Sequence, residues 1–271
     1  MIEIKDFGYK YRKGAVQVFD GFNLRLEDGK VYGLLGRNGV GKSTLIYTLM
    51  GLLQPRSGSV TIDGINTSER YAELLRECFL VPEEFELPAC TLQQYIKHTA
   101  PFYPNFSQTD MERNLRLFNM EGNPNLKALS MGQKKKVFMC FALACNTKYL
   151  IMDEPSNGLD IPSKEQFRQL VKTGMRPDRT IIISTHQVGD VESLIEEVVI
   201  LEKNRLLLQQ PVKRICEVLR FGVNDENPLY KQDFAGGYFS VTKNETGEMS
   251  PMRLELLFNA VLLNDDIAKL F

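Results

Sequence analysis

The chain has 271 residues, and its 33 lysine and arginine residues nearly balance 34 aspartate and glutamate residues, for a formal net charge of -1. This balance argues against a general nucleic-acid-binding surface, and the hydrophobic content of 43% is enough for a large core in one domain with an appended segment. No signal-peptide pattern opens the chain and no apolar stretch approaches the ~20 residues that span a bilayer, so we expect any membrane role to depend on a partner.

The N-terminal part of the chain leads into a glycine-rich loop. Residues 1 to 30 alternate apolar and polar side chains, as antiparallel strands do. An apolar run at 31–35 predicts a buried strand, and a helical pattern begins at Ser43. Glycines between a strand and a helix let successive N–H groups converge on phosphate oxygens, so Gly36 to Ser43 is predicted to be a phosphate-binding loop.

This loop carries the residues expected to bind a nucleotide. Lys42 is placed to reach the β- and γ-phosphates, and the Ser43 hydroxyl is placed to hold Mg²⁺. The helix N-terminus adds its dipole to the same anion site. A glycine-rich turn that binds no phosphate is the alternative. The predicted nucleotide-binding residues of the loop are Gly36, Asn38, Gly39, Val40, Gly41, Lys42, Ser43 and Thr44.

The middle of the chain is predicted to be helical. Apolar residues at 91–126 follow helical spacing, which predicts a helical subdomain over about 84–130. Ser130 followed by Gln133 fits a capping box, so another helix is predicted to start there. The exposed N–H groups of such a helix end bind anions. An ordinary capped helix without a ligand is the alternative.

Two later strands are predicted to deliver polar side chains at their ends. An apolar run ends in Asp153 and Glu154, and a β-branched run at 180–185 ends in His186. Because adjacent parallel strands present their carboxyl ends to one crevice, we expect these three residues to lie close together. Asp153 is predicted to bind Mg²⁺ through water, and Glu154 to act as the general base for an attacking water. The alternatives are a solvated turn for the carboxylates and a structural role for the histidine.

The C-terminal part is predicted to contain a hairpin, two helical segments and loops. Short strands at 198–202 and 205–209 predict a hairpin, and a helix is predicted from Pro211 to about Arg220. The following sequence predicts polar loops around the glycine pair at 236–237, and a helical pattern resumes at 253–258.

The order and spacing of three segments resemble a known family. The phosphate loop, the segment from Leu129 to Gln133 and the carboxylate pair at 153–154 resemble the nucleotide-binding subunit of an ATP-binding cassette (ABC) transporter. The resemblance implies an α/β fold of the phosphate-loop NTPase type, with a mainly parallel sheet core, an antiparallel β subdomain and a helical subdomain. It implies an ABC ATPase domain at 1–220 and a C-terminal extension at 221–271.

The resemblance also implies roles for individual residues. It implies ATP and Mg²⁺ as cofactors, and hydrolysis of ATP with Lys42, Glu154 and His186 as catalytic residues. His186 is expected to contact the γ-phosphate and orient the water. Tyr11 is expected to stack on adenine, with Tyr9 as the alternative. The residues expected to serve a second subunit, at its γ-phosphate or at the dimer interface, are Ser130, Gly132, Gln133 and Asp160.

Two positions depart from the family pattern. Met131 stands where a glycine is usual, although Gly132 is retained. Glu83 stands where the family places a glutamine whose amide oxygen meets Mg²⁺ and whose loop relays the nucleotide state to the membrane subunit. A carboxylate can still ligate the metal but cannot donate a hydrogen bond unless it is protonated. The predicted metal ligands are therefore Ser43, Asp153 and Glu83.

A subunit of this kind is expected to dimerise with a second copy, or with a related ATPase subunit, and to power a separate transmembrane permease. Segments 101–106 and 254–258 resemble the drug, lipid and antibiotic efflux branch, which implies export. The expected location is cytoplasmic and peripheral, on the inner face of the plasma membrane, with no direct nucleic acid partner. One alternative is a soluble ABC ATPase that acts on ribosomes or DNA, although the chain has neither two cassettes nor a long coiled coil. The other is a regulatory module with an inactive site, which the retained catalytic residues disfavour.

Overall fold

The computed structural model describes residues 1–11 and 17–271, which form three sheets and the helices that cover them. The strands are β1 (Ile2–Tyr9), β2 (Phe19–Leu26), β3 (Val31–Gly36), β4 (Ser57–Ile62), β5 (Ile65–Asn66), β6 (Cys78–Val81), β7 (Tyr149–Asp153), β8 (Thr180–Thr185), β9 (Glu197–Glu202), β10 (Arg205–Pro211), β11 (Leu219–Val223), β12 (Tyr230–Phe234) and β13 (Gly237–Lys243). The helices are α1 (Lys42–Leu49), α2 (Ala72–Arg76), α3 (Leu92–Thr99), α4 (Gln108–Leu117), α5 (Met131–Ala144), α6 (Ile161–Gly174), α7 (Val212–Val218), α8 (Leu254–Leu263) and α9 (Asp265–Ala268).

The central sheet has the strand order β10-β9-β3-β8-β7-β6. Its first five strands in chain order pair in parallel, and β10 pairs antiparallel with β9 through the predicted hairpin. All residues of β3, β7 and β8 are buried, as expected for a parallel sheet that is covered on both faces. These three strands are neighbours, so their carboxyl ends bring the phosphate loop, Asp153 and His186 to one edge of the sheet. The predicted α/β fold with a parallel core is confirmed.

An antiparallel sheet of order β2-β1-β4-β5 packs beside this core and confirms the predicted β subdomain. The predicted strand region includes residues 12–16, which lie outside the described residues. Phe19 of β2 lies against the phosphate loop, because a Cβ atom built on Gly41 would be 2.7 Å from its ring. Gly41 also has a φ of +107°, which favours glycine. Both constraints require glycine at the point where α1 begins.

The helical subdomain is formed by α3, α4 and the α5 helix packed on α4; α3 and α4 lie within the predicted 84–130, and α5 begins just after it. Its aromatic side chains pack onto the edge of the central sheet. The ring centroid of Phe141 on α5 lies 6.0 Å from that of Phe79 on β6 and 5.0 Å from that of Tyr95 on α3. These contacts pack α5 against the edge strand of the central sheet.

The C-terminal part differs from its prediction. The predicted helix from Pro211 to about Arg220 ends at Val218, where β11 begins. The predicted polar loops are instead a three-stranded antiparallel sheet of order β11-β13-β12. Ala235 and Gly236 make the two-residue turn between β12 and β13, since Phe234 pairs with Gly237. The prediction was wrong because β12 is mostly exposed and carries little of the apolar alternation that marks a strand.

The predicted helical pattern at 253–258 is confirmed as the start of α8. This helix packs against β12, β13 and a 3₁₀ turn at 188–190. The C-terminal sheet is thereby held against the segment that follows β8. No helix in the described part of the chain combines the length and the apolarity needed to cross a bilayer.

Candidate active site

A cavity of about 330 Å³ lies at the carboxyl edge of the central sheet. It collects residues from the phosphate loop, from the ends of β6 and β7, and from the N-terminal sheet. Among the described residues, its lining includes ten of the predicted site residues. These are Tyr11, Asn38, Gly39, Gly41, Lys42, Ser43, Thr44, Glu83, Asp153 and Glu154.

Lys42 is the cation of this cavity. It is buried, and its Nζ donates to the carbonyl oxygen of Gly36 at 2.7 Å and to that of Arg37 at 3.3 Å. Burial lowers the pKa of the Lys42 ammonium, and the carboxylates of Glu154, Asp153 and Glu83 oppose that shift. The loop therefore presents a positive charge where phosphate oxygens would lie.

Glu154 is buried and anchored by three groups. Its Oε2 accepts from Thr185 Oγ1 at 3.0 Å, and its Oε1 accepts from the backbone N–H of His186 at 3.0 Å. The His186 Nδ1 atom lies 2.7 Å from the same Oε1, and Lys42 Nζ lies 4.0 Å from it. These contacts fix the carboxylate on the wall of the cavity, in the orientation that a positioned proton acceptor needs.

His186 lies beside Glu154, as the predicted neighbouring strands require. In the described residues it does not line the phosphate-loop cavity itself. It lines a separate cleft with the 188–190 turn and α8. Its predicted contact with a γ-phosphate therefore stays a prediction, while its contact with the proposed base is present in the structure.

The predicted metal ligands can be tested by their chemistry. The Ser43 hydroxyl and the Asp153 carboxylate belong to residues that line the same cavity. Mg²⁺ prefers oxygen ligands of these kinds. Asp153 Oδ1 accepts a hydrogen bond from the Ser184 hydroxyl, which orients the carboxylate. Glu83 lies at the same cavity, and its Oε1 accepts from Asn157 Nδ2 at 3.1 Å. The donor set fits the metal.

Tyr11 lies at the rim of the cavity. Its hydroxyl group is 2.8 Å from Thr44 Oγ1, and its ring packs edge-to-face on Tyr9 with centroids 5.1 Å apart. The side chain is half exposed. A flat aromatic surface at this rim is compatible with the predicted stacking on a base.

Gly36 and Val40 lie close to each other within the phosphate loop. Gly36 supplies the carbonyl that Lys42 bonds, and a Cβ atom on it would lie 2.7 Å from Val40 Cγ2. Gly36 is therefore needed for the close approach of the loop to its own strand. Val40 and Gly36 do not line the cavity in the part of the chain that the structure describes.

The start of α5 forms a separate surface. Ser130 and Gln133 form the predicted capping box, with Gln133 N donating to Ser130 Oγ at 3.3 Å and Ser130 N donating to Gln133 Oε1 at 3.0 Å. Gly132 lies beside Gly158, and Asp160 caps α6 by accepting from Ser163 N at 2.9 Å. Of the described residues, none of these lines the phosphate-loop cavity. The helix start and Asp160 are thus separated from the nucleotide site of their own chain.

Lys135 was not predicted to be a site residue. It is the middle residue of a lysine triplet, and such a triplet is typical of a solvated helix face. In the structure it is buried and contacts the turn after Glu154. No sequence signal singled it out, because the run at 137–145 is apolar at every position and therefore marks no single face of α5.

Comparisons with known proteins agree with this site. The family described as ABC transporter matches residues 19–157. The bacitracin transport ATP-binding protein BcrA of Bacillus licheniformis is 31% identical over 222 residues, which cover 79% of this chain and 72% of that protein. A solved structure described as the ATP binding subunit of an ABC transporter is 28% identical with a TM-score of 0.70, and the match covers 79% of this chain and 91% of that one.

A second solved structure, cbiO1 from Clostridium perfringens, is described as part of the ABC transporter complex cbiONQ. It is 26% identical with a TM-score of 0.66, and the match covers 79% of this chain and 89% of that one. The family match spans both the phosphate loop and the Asp153-Glu154 pair, which together form the cavity described above. The chain therefore belongs to the ABC transporter family, as one of its ATP-binding subunits.

Proposed function

We propose that this chain hydrolyses Mg-ATP and that it powers a separate membrane permease. The observation that carries the proposal is the convergence of Lys42, Ser43, Asp153 and Glu154 on one cavity at the end of a parallel sheet. That set contains a cation for phosphate, oxygen ligands for a metal and a carboxylate base.

The proposed mechanism is in-line attack of water on the γ-phosphorus. Lys42 binds the β- and γ-phosphate oxygens and draws off charge as the terminal bond breaks. Glu154 accepts the proton of the attacking water, and His186 holds the Glu154 carboxylate in place through Nδ1. Mg²⁺ held by Ser43 and Asp153 would neutralise phosphate charge there.

The proposed working form is a dimer around two ATP molecules. The start of α5 has a capped, exposed helix N-terminus that does not line the phosphate-loop cavity of its own described chain. An end of this kind suits the γ-phosphate of ATP bound by a second copy, with Ser130 and Gly132 nearest to it. Asp160 lies beside this surface and is proposed to meet the second copy.

The permease is proposed as the membrane partner, with the chain at the inner face of the plasma membrane. The solved relative cbiO1 is described as part of a transporter complex, and BcrA is named for bacitracin transport, which supports a transport role. Export is proposed on the resemblance of segments 101–106 and 254–258 to the efflux branch. The relatives give no support to the ribosome or DNA alternative. The helical subdomain is the proposed docking site, and residues 221–271 are proposed as an extension of the 1–220 ATPase domain.

The test has two arms. Purified chain should release phosphate from ATP only when Mg²⁺ is present, and Lys42→Ala should abolish the release. Chain tagged in its native cell and cross-linked should recover a protein with several membrane-spanning helices. Absence of Mg²⁺-dependent hydrolysis would reject the enzyme assignment, and recovery of ribosomal or DNA-bound proteins instead of a membrane protein would reject the transport assignment.

A further inference from the structure

The Lys135 ammonium is buried against the backbone of the active-site turn. The residue is 6% exposed and lies one turn inside α5. Its Nζ donates to the carbonyl oxygen of Glu154 at 2.8 Å and to that of Asn157 at 3.0 Å. A buried ammonium loses its hydration, so a site that retains one must supply good acceptors. Here both acceptors are main-chain carbonyls of one turn.

That turn carries the proposed base in an unusual backbone conformation. Glu154 has a φ of +46°, in the left-handed region that residues other than glycine rarely adopt. Asn157 N donates to Glu154 O at 3.2 Å, which closes residues 154–157 into a tight turn. Conformations of this kind persist only when surrounding contacts fix them. The two charge-assisted bonds from Lys135 hold the first and last carbonyls of the turn.

Lys135 also belongs to the helix that serves the other ATP site in the proposed dimer. The capped start of α5 at Ser130 lies five residues before it in the sequence, so one rigid helix connects the surface offered to the second copy with the backbone of Glu154. A shift of α5 on contact with the second ATP would therefore move the turn that holds the base.

We propose that Lys135 is a positioning residue for ATP hydrolysis, which fixes the backbone of Glu154 and couples it to the helix start that faces the second ATP. This inference rests on the proposed function above. Lys135 touches neither substrate nor reacting atoms, so its effect passes through Glu154. Because a misplacement of about 1 Å can lower a rate by ~10²-fold, a tenfold or greater loss in kcat is expected when the tether is removed.

The neighbouring lysine provides a matched control. Lys136 lies on the same helix, but its ammonium sits over the Phe118 ring at 5.7 Å from the centroid, inside the helical subdomain. Lys136→Met therefore removes one lysine of the triplet without touching the 154–157 turn. Lys135→Met removes the tether with a side chain of similar length, and Lys135→Arg retains a cation that can donate to carbonyls.

The experiment measures ATP affinity, kcat, the Hill coefficient for ATP and the melting temperature for wild type and these three variants. The expected result is that Lys135→Met binds ATP within about twofold of wild type, loses tenfold or more in kcat and has a Hill coefficient near 1. Lys135→Arg should recover part of both losses, and Lys136→Met should match wild type. If Lys135→Met does not fold, Lys135→Arg becomes the deciding variant. A lower kcat with ATP affinity near that of wild type then supports the inference.

Two results would overturn the inference. One is a Lys135→Met enzyme whose kcat and Hill coefficient equal those of wild type. The other is a parallel loss of ATP affinity and kcat together with a lower melting temperature, which is what a purely structural lysine would give. Wild-type chain that hydrolyses no ATP would instead refute the proposed function, so the two failures are distinguishable.

Discussion

The Nδ1 atom of His186 lies 2.7 Å from Oε1 of Glu154, and the backbone N–H of His186 donates to the same oxygen at 3.0 Å. The proposed base is therefore bound twice by one residue of the next strand. β7 and β8 pair in parallel, and Asp153 lies opposite Ser184. This register places Glu154 and His186, which come shortly after these two residues, next to each other. The segment after β8 therefore contacts the Glu154 carboxylate directly.

His186→Ala should separate chemistry from binding. The change removes the side-chain contact with Glu154 but keeps the backbone bond, Lys42 and the phosphate loop, so ATP affinity should stay near wild type while turnover falls by roughly 10²-fold. Lys42→Ala should weaken ATP binding itself, because it removes the cavity cation. Titration with a fluorescent ATP analogue and steady-state phosphate release measure the two effects. Equal losses of ATP affinity in both variants would show that His186 acts in ATP binding, which contradicts its proposed role in the chemical step.

Glu154→Gln should trap an ATP-bound dimer. The amide oxygen of Gln can replace Oε1 and accept from the His186 backbone N–H, and its NH2 group can replace Oε2 and donate to the Thr185 hydroxyl, so the fold is kept while the proton acceptor is lost. We expect a monomer without nucleotide and a dimer at saturating Mg-ATP, measured by light scattering. The double variant with Lys42→Ala is the control and should stay monomeric. A Glu154→Gln chain that is monomeric at saturating Mg-ATP would contradict the assignment of Ser130 and Gly132 to an interface.

The sequence predicted the residues of the site better than it predicted the contacts between them. Asp153, Glu154 and His186 could be brought together because buried parallel strands have a strong pattern and their carboxyl ends meet at one edge. The inward direction of Lys135 could not be predicted, since it depends on which face of α5 the sheet covers. The bond from Asn157 to Glu83 joins two loops, and loop geometry has no periodic signal.

The three-stranded C-terminal sheet was missed for a related reason. Asn224 and Asn227 adopt left-handed conformations, with φ of +56° and +49°, and turn the chain between β11 and β12. Asparagine tolerates such turns, but it is equally common in irregular loops. The glycine pair at 236–237 was the stronger sequence signal of a hairpin turn. Its flanking strands are short and partly exposed, so packing against α8 decides the structure there more than local propensity does.

Asp28 should stabilise the fold in a pH-dependent way. Burial alone would raise its pKa, but hydrogen bonds from Lys148, the N-terminal ammonium and Tyr149 outweigh burial and lower the pKa from 3.8 to about 2. A folded-state pKa below the unfolded value gives stability that is present above pH ~4 and is lost as the pH falls toward 2. The difference in unfolding free energy between wild type and Asp28→Asn should therefore be constant above pH ~5 and shrink below pH ~4.

Urea unfolding at several pH values measures this difference. Asp20→Asn, on an exposed position of β2, is the control and should show no such change in the same window. A wild-type advantage over Asp28→Asn that persists unchanged to pH 2 would contradict the role of the Lys148 contact.

Glu192 should hold the C-terminal helix onto the segment after His186. Its Oε1 accepts from the backbone N–H of Leu254, the first residue of α8, at 3.1 Å, and a carboxylate is favoured at a helix N-terminus. Glu192→Ala should weaken that docking by about 1 kcal/mol. Hydrogen exchange should then accelerate in residues 254–263 while β3 and β7 remain protected. Unchanged exchange in α8 would show that its apolar face alone fixes the helix.

Glu83→Gln should raise basal hydrolysis by the isolated chain. Glu83 lines the same cavity as Lys42 and Glu154, so its charge adds to the negative potential where the γ-phosphate is proposed to bind. Its Oε1 accepts from Asn157 Nδ2 at 3.1 Å, and a glutamine oxygen can accept the same bond, so the variant removes charge and keeps the contact. An increase of roughly fivefold would correspond to about 1 kcal/mol.

Asn157→Ala tests the anchor separately: it keeps the charge but frees the Glu83 side chain, so the rate should stay below that of Glu83→Gln. Turnover measured against Mg²⁺ concentration and pH compares the three proteins. Superimposable curves for wild type and Glu83→Gln would show that this carboxylate lies outside the reacting site until the permease docks.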